Sequence, residues 1–230
     1  KQCGLKVERF TQEVGDLSTK AGRQNLLVTI FLRRPSHVWL SPECRPWCAW
    51  NRFNAQRSPA GFLRVQQDRQ ESRAHLKLCN LVYKIQSGEG RHTHFESPWS
   101  AETWYQKELN DFLKGSVAAK VDQCTMGLKN PQTKDPLEKK TRIQTTSMSL
   151  FKELDQRICH REHKHGHVAG TCKWMGKTIN VSQFAAMYPR PFAKAIVRGI
   201  LREKSIPIEA PILHVSDIED RKSTRLNSSH

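Results

Sequence analysis

The sequence predicts an α/β fold in which helices cover both faces of a sheet. Short apolar segments typical of strands, such as residues 36–40 and 91–96, alternate with segments of helical periodicity, such as Lys20–Arg33. Strands that alternate with helices favour a sheet with helical crossovers. We find no internal repeat and no low-complexity tract, so neither a solenoid nor a fibrous protein is indicated.

The individual elements follow from periodicity and from breaking residues. Strands are predicted at residues 5–10, 36–40, 91–96, 117–124 and 141–146. Helices are predicted at residues 20–33, 58–85, 100–113, 149–154 and 182–201. Loops are predicted at residues 42–57, 130–140 and 159–170.

Local signals define where three of these helices begin. Ser18 or Thr19 can cap the first helix, and Ser58 followed by proline is typical of a helix start. The polar stretch at residues 66–73 predicts that this second helix is surface-lying or broken. Prolines at positions 189 and 191 place the true start of the last helix near Arg190.

Composition restricts the classes of protein that this chain can belong to. It has 230 residues, 37% of them hydrophobic, and a formal net charge of +16, which suits a surface that meets phosphates. Seven cysteines without regular spacing favour a reduced, intracellular protein, nuclear if the source is eukaryotic. The longest apolar run, residues 26–32, is far too short to span a bilayer, so we expect no membrane partner.

Both ends of the sequence look unnatural. The chain starts at Lys1 without an initiator methionine, and residues 220–230 read as the in-frame translation of a short-read sequencing adapter. We therefore expect an N-terminally truncated domain at residues 1–201, a linker or tail at 202–219, and disorder at 220–230.

One cysteine occupies a position typical of a nucleophile. Cys44 lies on a proline-rich loop directly after the predicted strand at residues 36–40. A cysteine on a stiff loop that leaves a strand is where an α/β enzyme would place a thiolate. Alternatively, Cys44 and Cys48 are packed, inert cysteines of a loop rich in tryptophan.

Several weaker motifs occur in a definite order around this loop. They are Glu8 after a strand, Gly15-Asp16, the Cys44 loop, Phe95-Glu96-Ser97-Pro98, Gly127-Leu128 followed by Thr141-Arg142-Ile143-Gln144, and the stretch from Tyr188 to Ile196. Each is weak alone, and their order carries the information.

This ordered series resembles the DNA cytosine-5 methyltransferases over about residues 5–200. The resemblance implies a Rossmann-like methyltransferase sheet whose first strand and glycine-rich loop are missing, with a small irregular lobe inserted at about residues 125–180. It also implies S-adenosylmethionine as cofactor of the parent protein and DNA as partner.

The resemblance assigns roles to five residues. Glu8 would contact the cofactor ribose and Asp16 its adenine. Cys44 would add to carbon 6 of cytosine, so that carbon 5 can accept the methyl group. Glu96 would hydrogen-bond ring nitrogen 3, and Arg142 would steady the base or the thiolate. The base would have to leave the duplex to reach Cys44.

The chain also departs from the family pattern. Glu43 stands where the family has a second proline, Ser97-Pro98 replaces Asn-Val, and the segment after Arg142 is short. Because the glycine turn and helix N-terminus that would hold the cofactor are missing, we expect this fragment to be inactive or badly impaired in methyl transfer. The alternative is a non-catalytic, basic nucleic-acid-binding remnant of a mobile-element polyprotein, in which Glu96 is a structural acid and Arg142 belongs to a solvated basic run.

A separate cluster of soft ligands predicts a zinc site. Cys159, His163, His165 and Cys172 have the spacing C-x3-H-x-H-x6-C, and Cys124 is an alternative fourth ligand. Sulfur and imidazole ligands at short loop spacings can hold zinc and staple a small lobe. The alternatives are an exposed, partly protonated loop that touches nucleic acid, and a zinc-stapled interaction module without methyl transfer.

Overall fold

The computed structural model describes residues 5–11, 13–48 and 50–203. They fall into two compact units, an N-terminal one that ends at Ser36 and a larger one that begins at His37. The larger unit contains a four-stranded mixed sheet, a two-stranded sheet and helices. The prediction of a mixed α/β fold is therefore confirmed.

The N-terminal unit is built around helix α1, Lys20–Arg33. The Thr19 side chain caps it by accepting a hydrogen bond from the Gly22 amide at 3.0 Å. The strand predicted at residues 5–10 is wrong for the described residues 5–10, because no strand pairs with them. Instead, the Glu8 carboxylate lies 2.9 Å from the Arg33 guanidinium.

The main sheet consists of β1 His37–Leu40, β2 His92–Pro98, β3 Val117–Asp122 and β4 Lys140–Thr145. Its strand order is β1-β2-β4-β3. β1 pairs with β2 in parallel, whereas β4 is antiparallel to both β2 and β3. Three strands therefore run in one direction, and β4 is inserted among them in the opposite direction.

Six helices accompany these strands in the larger unit. They are α2 Trp50–Arg57, α3 Pro59–Gly88, α4 Asn110–Lys114, α5 Met148–Leu154, α6 Val181–Ala185 and α7 Arg190–Leu201. α7 begins at the predicted residue. No helix within the described ranges combines the length and apolar character needed to cross a membrane.

Three segments differ from their predicted local structure. α3 continues through its polar middle, because Leu76, Cys79 and Val82 on its C-terminal half are buried. α2 occupies part of a predicted loop, and half of the helix predicted at 100–113 consists of two 3₁₀ turns. β5 Thr171–Trp174 and β6 Lys177–Asn180 form an unpredicted hairpin, whose turn at Met175-Gly176 has two left-handed residues, as tight hairpins require.

Apolar layers cover both faces of the main sheet. On one face, Phe95 packs edge-on against Trp104 and Phe112, beneath α3 and α4. On the other face, Ile143 and Leu150 belong to a layer shared with α5 and α7. Helices on both faces match the predicted arrangement, and they fix which side of the sheet each strand residue faces.

A group of histidines packs where β1 and β2 begin. His37 pairs with His92 in register, and its Nδ1 lies 2.9 Å from Nε2 of His94. Burial and, to a smaller degree, the neighbouring His92 lower the pKa of His37 to about 4. Burial also lowers the pKa of His94 well below its ordinary value. Both rings are therefore held in the neutral state at pH 7.

The lowered pKa of His37 predicts acid sensitivity. Between pH 6.5 and about 4 the unfolded chain binds a proton at this position that the folded chain does not. The free energy of unfolding should therefore fall as pH falls through this window, by up to about 3 kcal/mol for this group. His37→Gln, which cannot titrate, should flatten the decline measured by urea unfolding at pH 7, 6, 5 and 4.5. The matched control is His75→Gln on α3, and equal flattening by both variants would contradict the assignment.

Candidate functional site

The parallel pairing of β1 with β2 brings together two of the predicted site residues. Leu40 at the end of β1 pairs with Phe95, so the loop that follows β1 starts beside Glu96. Cys44 on this loop and Glu96 are both half-buried, and their charges interact. The structure thus places the thiol and the carboxyl group in one neighbourhood, as the order of the motifs predicts.

A buried tryptophan anchors the cysteine loop. Cys44 precedes the 3₁₀ turn Arg45–Trp47, and the Trp47 indole is buried and donates to the Ser72 hydroxyl at 2.7 Å. The Arg69 guanidinium lies 5.4 Å from the centre of the same ring. Trp47 therefore holds the loop against α3 and is not free to stack on a base.

Tyr188 links the site to the segment that enters α7. Its hydroxyl accepts a hydrogen bond from the Trp39 indole at 3.1 Å, lies 3.2 Å from the Ser41 hydroxyl, and bonds to Glu96. Burial first, and then the charge of Glu96, raise the pKa of Tyr188. The phenol therefore stays protonated, and its hydroxyl donates a hydrogen bond to the Glu96 carboxylate.

One oxygen of Glu96 is left without a partner. Oε1 is buried and accepts no hydrogen bond from the described residues, although Tyr188 serves the same carboxyl group. Burial raises the pKa of Glu96, while Lys139 and Tyr188 offset part of the rise. A buried acceptor without a donor is unfavourable, so this carboxyl group is suited to hold a proton or to meet a ligand.

The environment of Cys44 opposes ionisation. Burial raises the pKa of this thiol, and the charges of Glu96 and Cys48 raise it further, whereas Lys139 lowers it. Thiolate formation is easier once Glu96 is neutral, because their like charges then no longer repel.

Arg142 lies on the other side of the sheet. β4 pairs Ile143 with Glu96 and Arg142 with Ser97, and neighbouring residues of a strand face opposite sides. The Arg142 guanidinium lies 4.3 Å from the Trp104 ring centre and donates to Gln144. The structure therefore does not bring Arg142 to Cys44 and Glu96.

The two predicted cofactor residues lie in the N-terminal unit. The Glu8 carboxylate is paired with Arg33, and an Asp16 carboxylate oxygen accepts the Ser18 amide at 2.9 Å in the turn before α1. Both acids thus already serve local partners. This arrangement does not fit the cofactor contacts that the resemblance implies for them.

A second candidate site gathers two cysteines and two histidines. The ligand atoms of Cys124, Cys159, His163 and His165 all lie within 4.8 Å of one another. His165 Nε2 is 3.5 Å from Cys159 Sγ and 3.3 Å from Cys124 Sγ, and His163 Nε2 is 3.6 Å from Cys159 Sγ. This cluster could hold a metal ion.

Backbone contacts explain why these residues meet. Cys124 lies in the 3₁₀ turn Gln123–Met126 that follows β3, and an Asp122 carboxylate oxygen accepts the Cys159 amide at 2.8 Å. Arg161, in the left-handed conformation with φ of 61°, turns the chain between Cys159 and His163. A cavity of about 200 Å³ reaches the cluster, so an ion has a route to it.

Cys124, the alternative fourth ligand of the sequence prediction, lies in the cluster, whereas Cys172 does not. Cys172 lies on β5 and is buried with Leu128, Leu137 and Val181, in a cluster that does not include the other ligands. Cys124 takes the place that the sequence assigned to Cys172. Cys172 was favoured because it lies close to Cys159 in the chain. Cys124 is remote in the chain, and only the turn after β3 brings it to the other ligands.

Two further residues of the first site were given no role by the sequence. Tyr188 directly precedes the Pro-Arg-Pro motif, which was a usable signal. Lys139, which donates to the Ala185 carbonyl at 2.9 Å and acts on both Cys44 and Glu96, gave no signal because it belongs to a run of lysines.

Comparison of the chain with protein-family models, with curated proteins and with solved structures yields no match. The resemblance to DNA cytosine-5 methyltransferases therefore stays a prediction.

The coupling between Glu96 and Cys44 predicts a change in thiol reactivity. In a Cys48→Ser background, Glu96→Gln should speed alkylation of Cys44 by iodoacetamide at pH 8 severalfold, because it removes a charge that raises the pKa of the thiol. Mass spectrometry of the peptide that contains Cys44 measures the rate. Glu43→Gln is the matched control, since Glu43 is an exposed acid that pairs with Arg45 at 3.0 Å. Equal acceleration by both variants would show that Glu96 has no special influence.

Proposed function

We propose that this chain carries the base-handling site of a DNA cytosine-5 methyltransferase-like protein, with Cys44 as nucleophile and Glu96 as acid. The observation that carries the proposal is a carboxyl group that has one buried, unpartnered oxygen and whose charge acts on the Cys44 thiol. A thiol on the loop after β1 and an acid on the adjacent parallel strand β2 are suited to addition to a pyrimidine ring.

The strand order gives independent support. An antiparallel strand inserted between two strands that run the other way, as β4 is between β2 and β3, is also a feature of the Rossmann-like methyltransferase sheet. In such a sheet the parallel strands direct their carboxyl ends to one edge, where ligands bind. The loop with Cys44 follows that end of β1.

The chemistry available to these residues is the first half of cytosine methylation. Glu96 in its protonated form hydrogen-bonds ring nitrogen 3 and makes carbon 6 more electrophilic. The Cys44 sulfur forms a bond to carbon 6, and carbon 5 gains electron density and takes a proton from water. Loss of the original hydrogen from carbon 5 and breakage of the sulfur–carbon bond restore the base and the thiolate, without net oxidation.

S-adenosylmethionine would supply the methyl group in the parent protein. Glu8 and Asp16, however, are engaged with local partners. Exchange of the hydrogen on carbon 5 needs no methyl donor, so it isolates the chemistry of Cys44 and Glu96.

Two observations favour a second candidate function, nucleic-acid binding without chemistry. The raised pKa of Cys44 keeps the thiol protonated, and Tyr188 already bonds to Glu96. On this alternative the basic surface is retained while the nucleophile is idle.

Tritium release tests the proposal directly. The chain, incubated with single-stranded DNA that carries tritium on carbon 5 of cytosine, should release tritium to water. Single-stranded substrate removes the cost of extruding the base from a duplex. Cys44→Ser should abolish release, and Glu96→Gln should slow it about 100-fold or more, as expected for loss of a general acid.

Cys48→Ser is the matched control, because Cys48 lies on the same loop, and it should retain release. If the wild-type chain binds DNA but releases tritium no faster than Cys44→Ser does, the catalytic proposal is rejected in favour of binding alone.

For the second site we propose structural zinc held by Cys124, Cys159, His163 and His165. Tetrahedral zinc, with bonds of about 2.3 Å to sulfur and 2.0 Å to nitrogen, separates these atoms by about 3.5 Å. The observed separations of sulfur and nitrogen, 3.3 to 3.6 Å, match this value. Two thiolates and two imidazoles form a closed, four-ligand set typical of structural zinc.

Metal analysis distinguishes the two candidate ligand sets. We expect about one zinc ion per purified chain, with loss of zinc in Cys124→Ser and in Cys159→Ala. Cys172→Ala should retain zinc, as measured by inductively coupled plasma mass spectrometry after gel filtration. Zinc that survives Cys124→Ser but is lost in Cys172→Ala would restore the ligand set that the spacing favoured.

A further inference from the structure

A strongly basic cavity lies at the start of α7, lined by none of the residues of the Cys44 site. Its volume is about 400 Å³, and it opens between α7 and the turn Gln123–Met126. Four cationic side chains line it, from Arg157, Arg190, Lys194 and Arg198. This concentration of positive charge around a concave surface needs an explanation.

The charges around the cavity are mostly uncompensated. Arg198 is paired with the buried Glu153 at 3.1 Å, and Arg202 also contacts that carboxylate. Among the described residues, no carboxylate lies within ion-pair distance of Arg157, Arg190 or Lys194. Three positive charges therefore face the cavity without an acidic partner in the described part of the chain.

The position of these cations on α7 adds to the repulsion. Arg190, Lys194 and Arg198 follow one another at intervals of four, so they lie along one face of the helix. Like charges at this spacing destabilise a helix, and Arg190 also lies at the positive end of the helix dipole, although Arg198 lies in the last turn, where the dipole favours a cation. A bound anion would relieve both unfavourable terms.

We propose that this cavity binds a phosphate of a nucleic-acid backbone. Two or more arginines can grip phosphate oxygens in a forked geometry, and a lysine adds a point charge. The volume lies in the range of about 300–1,000 Å³ typical of ligand sites, which suits a sugar-phosphate segment. This inference rests on the proposed function in one respect only, which is that a nucleic-acid strand supplies the phosphate.

The cavity and the Cys/His cluster lie on neighbouring parts of the same segments. The turn Gln123–Met126 carries Cys124 in the cluster, while Thr125 and Met126 line the cavity. Arg157, another lining residue, lies two positions before Cys159. The two sites thus share their supporting segments, although no ligand atom is common to both.

An abasic strand tests backbone recognition apart from base recognition. A fluorescein-labelled 12-residue deoxyribose-phosphate strand should bind the full chain, as followed by anisotropy across a salt series. Arg190→Gln/Lys194→Gln should weaken binding about tenfold or more, since hydrogen bonds to charged groups each contribute substantially. The slope of log affinity against log salt should shrink by about 0.7, the value expected when one phosphate of a single strand is no longer neutralised.

The matched control is Arg64→Gln/Lys77→Gln, which removes two exposed cations from α3. Equal weakening by both double variants would show diffuse attraction and overturn the proposal. A second test adds millimolar inorganic phosphate at constant ionic strength. If phosphate displaces the strand equally from the wild type and from Arg190→Gln/Lys194→Gln, the proposal is also overturned. Displacement from the wild type alone would support a phosphate site.

Two outcomes separate this inference from the proposed function. Tight binding of the abasic strand without tritium release would support the cavity and reject the catalytic role of Cys44. Tritium release with no binding of the abasic strand would reject the cavity and leave the catalytic role intact. Cys44→Ser should bind the abasic strand as the wild type does.

Discussion

The parallel pairing of β1 with β2 is the constraint on which the candidate site depends. It brings the loop that follows Leu40 beside Glu96, although the two segments are far apart in the chain. Trp47 then fixes the loop against α3, and Tyr188 connects both strands to the entrance of α7. Loss of this pairing would separate the thiol from the carboxyl group and leave Tyr188 without two of its three partners.

The thiol and the carboxyl group also constrain one another electrostatically. Each is half-buried, and the negative charge of Glu96 raises the pKa of Cys44, so double ionisation is disfavoured. The pair therefore favours states in which at least one proton is bound. Addition to a pyrimidine requires the proton on Glu96 and the charge on Cys44. A base whose ring nitrogen accepts a hydrogen bond from Glu96 would favour a protonated Glu96 beside an ionised Cys44. The hydrogen bond from Tyr188 has the opposite effect, because it favours the ionised carboxylate.

Much of the secondary structure could be predicted because local signals define it. Thr19 caps α1 and the prolines around Arg190 set the start of α7, and both helices begin as predicted. The hairpin β5–β6 was missed because its strands are short and mostly exposed, so they lack alternating hydrophobicity. α3 was expected to be surface-lying or broken; it is unbroken, because burial of its C-terminal half outweighs the polarity of its middle.

The candidate sites were predictable only where chain order determines proximity. Cys44 follows β1 and Glu96 lies near the end of the neighbouring strand β2, so their approach could be inferred from the order of motifs. The side of the sheet occupied by Arg142 depends on strand register, which no local pattern reveals. The same applies to Cys124, whose approach to Cys159 depends on the path of the chain after β3.

The central position of β4 has a consequence for how the protein is made. β4 is the last of the four strands to be synthesised, yet it lies between β2 and β3. Until residues 140–145 leave the ribosome, one edge of β2 and the whole of β3 lack their partner, and such edges are open to pairing with other chains. The sheet cannot grow in the order of translation. Its completion awaits a late, non-local insertion, a step of the kind that slows folding.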